Sequence, residues 1–154
     1  MTADVFQKFD KAEQVERAAG SLYRQLAERF RGKSEVAKTL EELASEEDQH
    51  ALRVRMLRDR YAKRPGDFDD VALDLEAMEA LLTEAATLAE LFSREPFDLS
   101  VDEARRFMIR LEERFAEAHA QAMASAASDD LRTFFEALSR GDTAHARLLA
   151  SLRD

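Results

Sequence analysis

Glu16 is followed 31 residues later by Glu47, and Glu47 by His50. Glu112 is followed 30 residues later by Asp142, and Asp142 by His145. Tyr23 stands seven residues after Glu16, and His119 seven after Glu112. Each half of the chain therefore offers one carboxylate and then a carboxylate-x-x-His pair. A spacing of three puts the acid and the imidazole of each pair on one face of a helix. One carboxylate from each of two helices, joined by an acid-x-x-His pair from each of two others, makes the donor set of a two-metal site inside a four-helix bundle. That donor set turns a plain helical chain into a candidate redox protein.

Such a site needs four long helices, and the sequence supplies them. Helix one is predicted from about Asp4 to Phe30, capped by Thr2 and ended by Gly32. Helix two is predicted from Glu35 to Ala62, with Ser34 as cap and Arg64-Pro65-Gly66 as stop. Helix three opens on the capping box Ser100-x-x-Glu103 and runs to about Ala126; helix four follows Ser128 and runs to about Leu152. Tight turns make each pair antiparallel. Residues 63–99 form a long connection holding a further helix, about Val71 to Phe92, capped by Asp69 or Asp70. It can carry the chain along the full length of a ferritin-like bundle between helices two and three. The alternative is a five-helix bundle with residues 71–92 as an equal member.

Heptad-like seams order the side chains. Helix one gives Val5, Phe9, Ala12, Glu16, Ala19, Tyr23, Leu26 and Phe30; helix two gives Leu40, Leu43, Glu47, His50, Val54, Leu57 and Tyr61. Helix three gives Val101, Arg105, Met108, Glu112, Phe115, His119 and Ala122; helix four gives Leu131, Phe135, Leu138, Asp142, His145, Leu149 and Leu152. Arg105 is the poor fit, near enough a helix end to reach solvent. All three histidines fall in seam slots, which two slots in seven would give by chance roughly once in forty. Counted from the turns, the six acids and histidines lie at one depth, so antiparallel helices bring them into one layer.

Buried carboxylates without partners cost several kcal/mol each or take up protons. Four carboxylates balance two divalent cations, and carboxylate with imidazole suits iron or manganese better than zinc. The 154 residues make one domain. Few breakers (Gly 4, Pro 2) and 36% charged residues favour helix throughout. The net charge of −9 argues against nucleic acid and anionic membrane as partners. With no cysteine there is no disulfide, zinc knuckle or iron–sulfur centre. No secretory signal or apolar span is read, and a cytoplasmic location is the expectation.

At these residues the chain resembles the ferritin-like superfamily, and most of all rubrerythrin-type and bacterioferritin-type di-iron proteins. The resemblance covers residues 4–62 and 100–153. It rests on Glu16 with Tyr23, on Leu43-Ala44-Ser45-Glu46-Glu47-Asp48-Gln49-His50, on Ser100 to Glu113, and on Asp142-Thr143-Ala144-His145. It implies an all-α, ferritin-like antiparallel four-helix bundle. It implies that Glu16, Glu47 and His50 hold one side of a metal pair and Glu112, Asp142 and His145 the other, with two carboxylates bridging. Tyr23 is then the functional residue beside the ligands, its hydroxyl orienting a ligating carboxylate.

The chain departs from the family at several places. Asp142 is one methylene shorter than the usual Glu. Gly141 weakens its helix by up to about 1 kcal/mol against Ala. His119 stands where the family often has Tyr, and reads as a packed core histidine rather than a ligand. Phe115 replaces a further glutamate of rubrerythrins, against their peroxidase chemistry. The Cys-rich electron-transfer domain is absent. Asp48 replaces the haem-ligating Met of bacterioferritin, so no haem is implied. The long connection and the lack of a fifth C-terminal helix argue against a cage. Glu46, Glu113 and Glu117 read as solvated rim charges, and Met108 and Met123 as core filling.

The leading expectation is a soluble oxidoreductase holding two iron ions, with manganese as the alternative metal. It would reduce peroxide or dioxygen with electrons from a separate donor, and would pair as a homodimer through an outer helix face. The other candidates are an iron-binding or storage-related module, a structural module with a degenerate site, and a di-iron hydroxylase.

Overall fold

The computed structural model describes residues 2–64, 73–94, 98–126 and 128–154. Among them are the helices α1 (Thr2–Arg29), α2 (Ser34–Lys63), α3 (Leu75–Ser93), α4 (Val101–Ser125) and α5 (Asp129–Ala150), and no strand. No helix among the described residues is long and apolar enough to cross a membrane.

Side-chain contacts fix how the helices run. Asp10 pairs with Arg58 at 3.1 Å and Glu16 approaches His50 at 3.7 Å, so α1 and α2 are antiparallel. Ser139 donates to the Ala116 carbonyl and Arg105 to that of Ala150, so α4 and α5 are antiparallel too. Tyr23 with Glu112 and Glu16 with His119 set α1 against α4. Glu47 with His145 and Arg60 with Asp130 set α2 against α5. The result is a helical bundle whose four long members meet at mid-height.

Helix α3 lies outside this core along α1. Gln25 donates to the Ala89 carbonyl and Arg29 to that of Phe92, so numbers rise together and the two helices are parallel. Phe92 meets Phe107 edge-on, and Glu84 pairs with Arg114, so α3 is antiparallel to α4. The buried stripe Met78, Leu81, Ala85, Leu88 and Phe92 explains why this segment folds here. Its 3-4 spacing gives one apolar face, and only the bundle can cover it.

The seams mostly become the core. On α5 every seam residue is buried, and on α4 every one but Arg105. Arg105 is half-buried and reaches Asp102 and the Ala150 carbonyl at the helix end. The α4 cap is as predicted, with Ser100 Oγ accepting from the Glu103 amide at 3.0 Å. The α3 cap is not. Asp69, Asp70 and Val71 lie outside the described residues, and the helix starts at Leu75 on Asp74, whose Oδ1 accepts from the Glu76 and Ala77 amides. Pro65 and Gly66 also lie outside the described residues, as do the side chains of Thr2, Val5 and Tyr61.

Gly20 positions the first helix pair. A Cβ there would stand 3.3 Å from Asp48 Oδ1 and 3.5 Å from both Glu47 Cβ and the Ala44 carbonyl. A bare backbone at this point lets α1 close onto α2 beside Glu47.

Candidate metal centre

The seam acids and histidines converge. Glu16, Glu47, His50 and Asp142 offer ligand atoms all within 4.8 Å of one another, and so do Glu47, Glu112, Asp142 and His145. The two groups share Glu47 and Asp142. The four carboxylates are 0% exposed, His50 7% and His145 2%. Four helices each supply a carboxylate, while α2 and α5 add the imidazoles three residues on. The 3.6-residue turn sets both groups of each pair on the same inward face.

The chemistry of these side chains calls for cations. Glu16 Oε1 and Oε2, Glu47 Oε2, Glu112 Oε2, Asp142 Oδ1 and His50 Nδ1 are buried with no hydrogen-bond partner. Native interiors rarely leave such atoms unsatisfied. A pair of metal ions would take up these lone pairs and offset the carboxylate charge at once. The mixed oxygen and imidazole donors therefore fit a di-iron or di-manganese pair.

Protons and histidine charge occupy the centre otherwise. Burial works against charge at Glu16, but His119 and His50 outweigh it and hold this carboxyl well below the usual range. Burial, with Glu112 and Glu16 alongside, pushes Glu47 well up. Burial lifts Asp142 to about 7 despite His119. Burial opposes charge on His119, yet Asp142 and Glu16 raise it to about 10. Burial likewise opposes charge on His145, yet Glu112 and Glu46 raise it to about 9.

Two side chains support the carboxylates across the bundle. The Tyr23 hydroxyl donates to Glu112 Oε1 at 2.5 Å. His119 donates from Nδ1 to Asp142 Oδ2 at 2.5 Å, and its Nε2 lies 3.2 Å from Glu16 Oε1. The pattern is crossed. The residue seven after Glu16 serves Glu112, and the residue seven after Glu112 serves Glu16. His119 belongs to neither ligand group and works as a partner of two carboxylates. Burial and the Glu112 carboxylate hold the Tyr23 phenol well above 10, so it stays a donor. Tyr23→Phe is expected to lower metal affinity by about 10- to 100-fold through loss of this orientation. Competition with a chelator measures it; an unchanged affinity would make Tyr23 a packing residue only.

Two residues carry more than their sequence reading. Glu46, a rim charge by its position, is half-exposed, yet its Oε2 lies 2.5 Å from His145 Nε2. Its place immediately before Glu47 is the signal. Gly141, a weak spot in its helix by propensity, sits under His50. A Cβ there would stand 3.0 Å from His50 Cε1 and 3.2 Å from Nε2. The glycine makes room for the ring. Glu113 and Glu117 are exposed, Met108 is core, and Met123 packs against the core.

A helical bundle with a buried four-carboxylate, two-histidine cluster defines the class: a helical bundle with a candidate metal centre. Comparison with known families agrees with this geometry. The family model for rubrerythrin matches residues 9–153, and the chain belongs to the rubrerythrin family, a di-iron carboxylate family of the ferritin-like superfamily. No curated protein and no solved structure matches the chain.

Proposed function

We propose that the protein is an oxidoreductase with a di-iron centre that reduces peroxide or dioxygen. The single observation that carries this is the pair of overlapping ligand groups sharing Glu47 and Asp142. Glu16, Glu47 and His50 would hold one ion and Glu112, Asp142 and His145 the other, with Glu47 and Asp142 common to both groups. When bound, a ferrous pair would supply the electrons that reduce a small oxidant. The chain's residues do the rest. His50 and His145 each present Nδ1 inward, toward Glu47 and its neighbours. Tyr23 holds Glu112 and His119 holds Asp142 against rotation. The surrounding Leu22, Leu43, Met108, Leu111 and Phe115, all buried, keep bulk water out.

Electrons come from a separate donor. Helix α3 acts as the long crossover of a ferritin-like four-helix core. The protein works in the cytoplasm as a homodimer. Leu52 and Met56, exposed one turn apart on α2, support an apolar outer face for pairing, and light scattering tests it.

The chemical test is to load the full chain with ferrous iron under nitrogen and add peroxide or dioxygen. Two irons per chain and oxidant loss well above that of free iron are expected. Two irons bound with no gain in oxidant loss would leave an iron-binding module without turnover. No iron bound would leave a structural bundle.

A further inference from the structure

The two halves of the centre repeat each other closely enough that their differences can be located residue by residue. Glu47 and Asp142 correspond, as do His50 and His145. The two imidazole rings are nearly parallel, 14° apart in plane with centroids 5.4 Å apart. Each turns Nδ1 inward. His145 Nδ1 lies 2.8 Å from Glu47 Oε1 and 3.2 Å from Glu112 Oε1; His50 Nδ1 lies 3.6 Å from Glu47 Oε2 and 3.7 Å from Glu16 Oε2. Each therefore turns Nε2 outward, and there the symmetry breaks.

The residue before the α2 carboxylate is Glu46, and it meets the outer nitrogen of His145 on α5 at 2.5 Å. The residue before the α5 carboxylate is Gly141, and it lies beneath the outer nitrogen of His50 on α2. The same crossed position holds a carboxylate in one half and no side chain in the other. Among the described residues, no hydrogen bond to His50 Nε2 exists. A carboxylate on the outer nitrogen keeps the proton on Nε2, leaves Nδ1 as the lone-pair donor and makes it a stronger one. His145 has this support and His50 lacks it.

We propose that the two metal positions are unequal by construction: the position beside His145 fills first and tightly, and the position beside His50 fills second, as the exchangeable one. Glu46 is the positioning residue for the tight position. Gly141 is the clearance that lets the His50 ring reach the weak one. A β-carbon at 141 would stand 3.0 Å from the ring and require it to give by a few tenths of an ångström. The inference rests on the metal-centre assignment above and adds the order of filling.

The test is a titration of the metal-free full chain with cobalt(II), followed by calorimetry and by the visible bands of the bound ion. The native chain should bind two ions in two steps, with dissociation constants about 10- to 100-fold apart, the usual weight of an outer-nitrogen partner. Glu46→Ala, on a half-exposed side chain, should weaken the first step by about that factor and leave the second in place. Glu46→Gln keeps an acceptor without the charge and should fall between. Gly141→Ala should keep the tight step and weaken the second. Two equal steps in the native chain would overturn the inference, as would a Glu46→Ala chain whose first step is unchanged. A native chain that binds no cobalt would overturn the metal centre itself, a different and recognisable failure.

Discussion

Glu47→Gln is expected to leave the metal-free protein folded and to abolish metal binding at both positions. Glu47 is common to both ligand groups. Burial and the carboxylates of Glu112 and Glu16 push its carboxyl well up, toward the neutral form. A neutral amide of the same shape is therefore the least disruptive replacement for the metal-free chain. His145 keeps Glu112 and Glu46, His119 keeps Asp142, and His50 Nδ1 has no hydrogen bond for the change to remove. The metal-free melting temperature should change by the equivalent of less than about 1 kcal/mol, roughly 2–4 °C for a chain of this size. Loading should separate the two proteins widely. An ion at 100 times its dissociation constant adds about 2.7 kcal/mol, so two ions add about 5 kcal/mol and raise the native melting temperature by roughly 10–20 °C. The variant should show no rise, because an amide brings no negative charge to bridge two cations. Calorimetry with manganese(II), or with ferrous iron under nitrogen, reads the difference. An equal rise in both chains would remove Glu47 from the ligand set, and no rise in either would leave only a helical scaffold.

The gap between those two states explains which parts of the protein are legible in its sequence. Helix seams follow from burial alone, so Phe135, Leu138, Asp142, His145 and Leu149 fall on one face by periodicity. The common depth of Glu16, Glu47, Glu112 and Asp142 follows from counting back from two turns. Pairing across the bundle does not follow. Tyr23 reads as a donor to some carboxylate, but only the packing of α1 against α4 makes that carboxylate Glu112. His119 reads as a core histidine, yet it stands between Glu16 and Asp142 and shares their charge. Glu46 reads as solvent-facing because half of it is; periodicity sorts faces, and this residue sits on the border of one. Gly141 reads through helix propensity, a local property. Its use is spatial, and the ring it clears belongs to a residue 91 positions earlier. The α3 cap differs for a tertiary reason: Asp69, Asp70 and Asp74 offer similar local signals, and helix start depends on where Met78 and Leu81 meet the bundle.

Stability of the metal-free protein is expected to fall as pH rises from 6 to 9, and metal loading should cancel the fall. Four groups at the centre have folded pKa values above their unfolded ones. Glu47 lies well up, Asp142 rises to about 7, His145 to about 9 and His119 to about 10. The folded chain thus binds more protons than the unfolded chain over this range. Its stability is fully present below each group's unfolded pKa and is lost as pH climbs through the folded one. Glu16 runs the other way, but its window lies in acid, below the range considered. Each tenfold gain in proton affinity on folding is worth roughly 1.4 kcal/mol per group. A combined loss of several kcal/mol across three pH units would lower the melting temperature by roughly 10 °C or more. Cations reverse the dependence. They displace the extra protons that Glu47, Asp142 and His145 gain on folding, so loading should release protons and should tighten as pH rises. Calorimetry at pH 6, 7.5 and 9, with and without metal, tests the slope, and a pH indicator in weak buffer counts the protons. A metal-free melting temperature that is flat or rises over this interval would mean that the buried carboxylates are not holding extra protons. The cluster would then be open to water rather than sealed for cations.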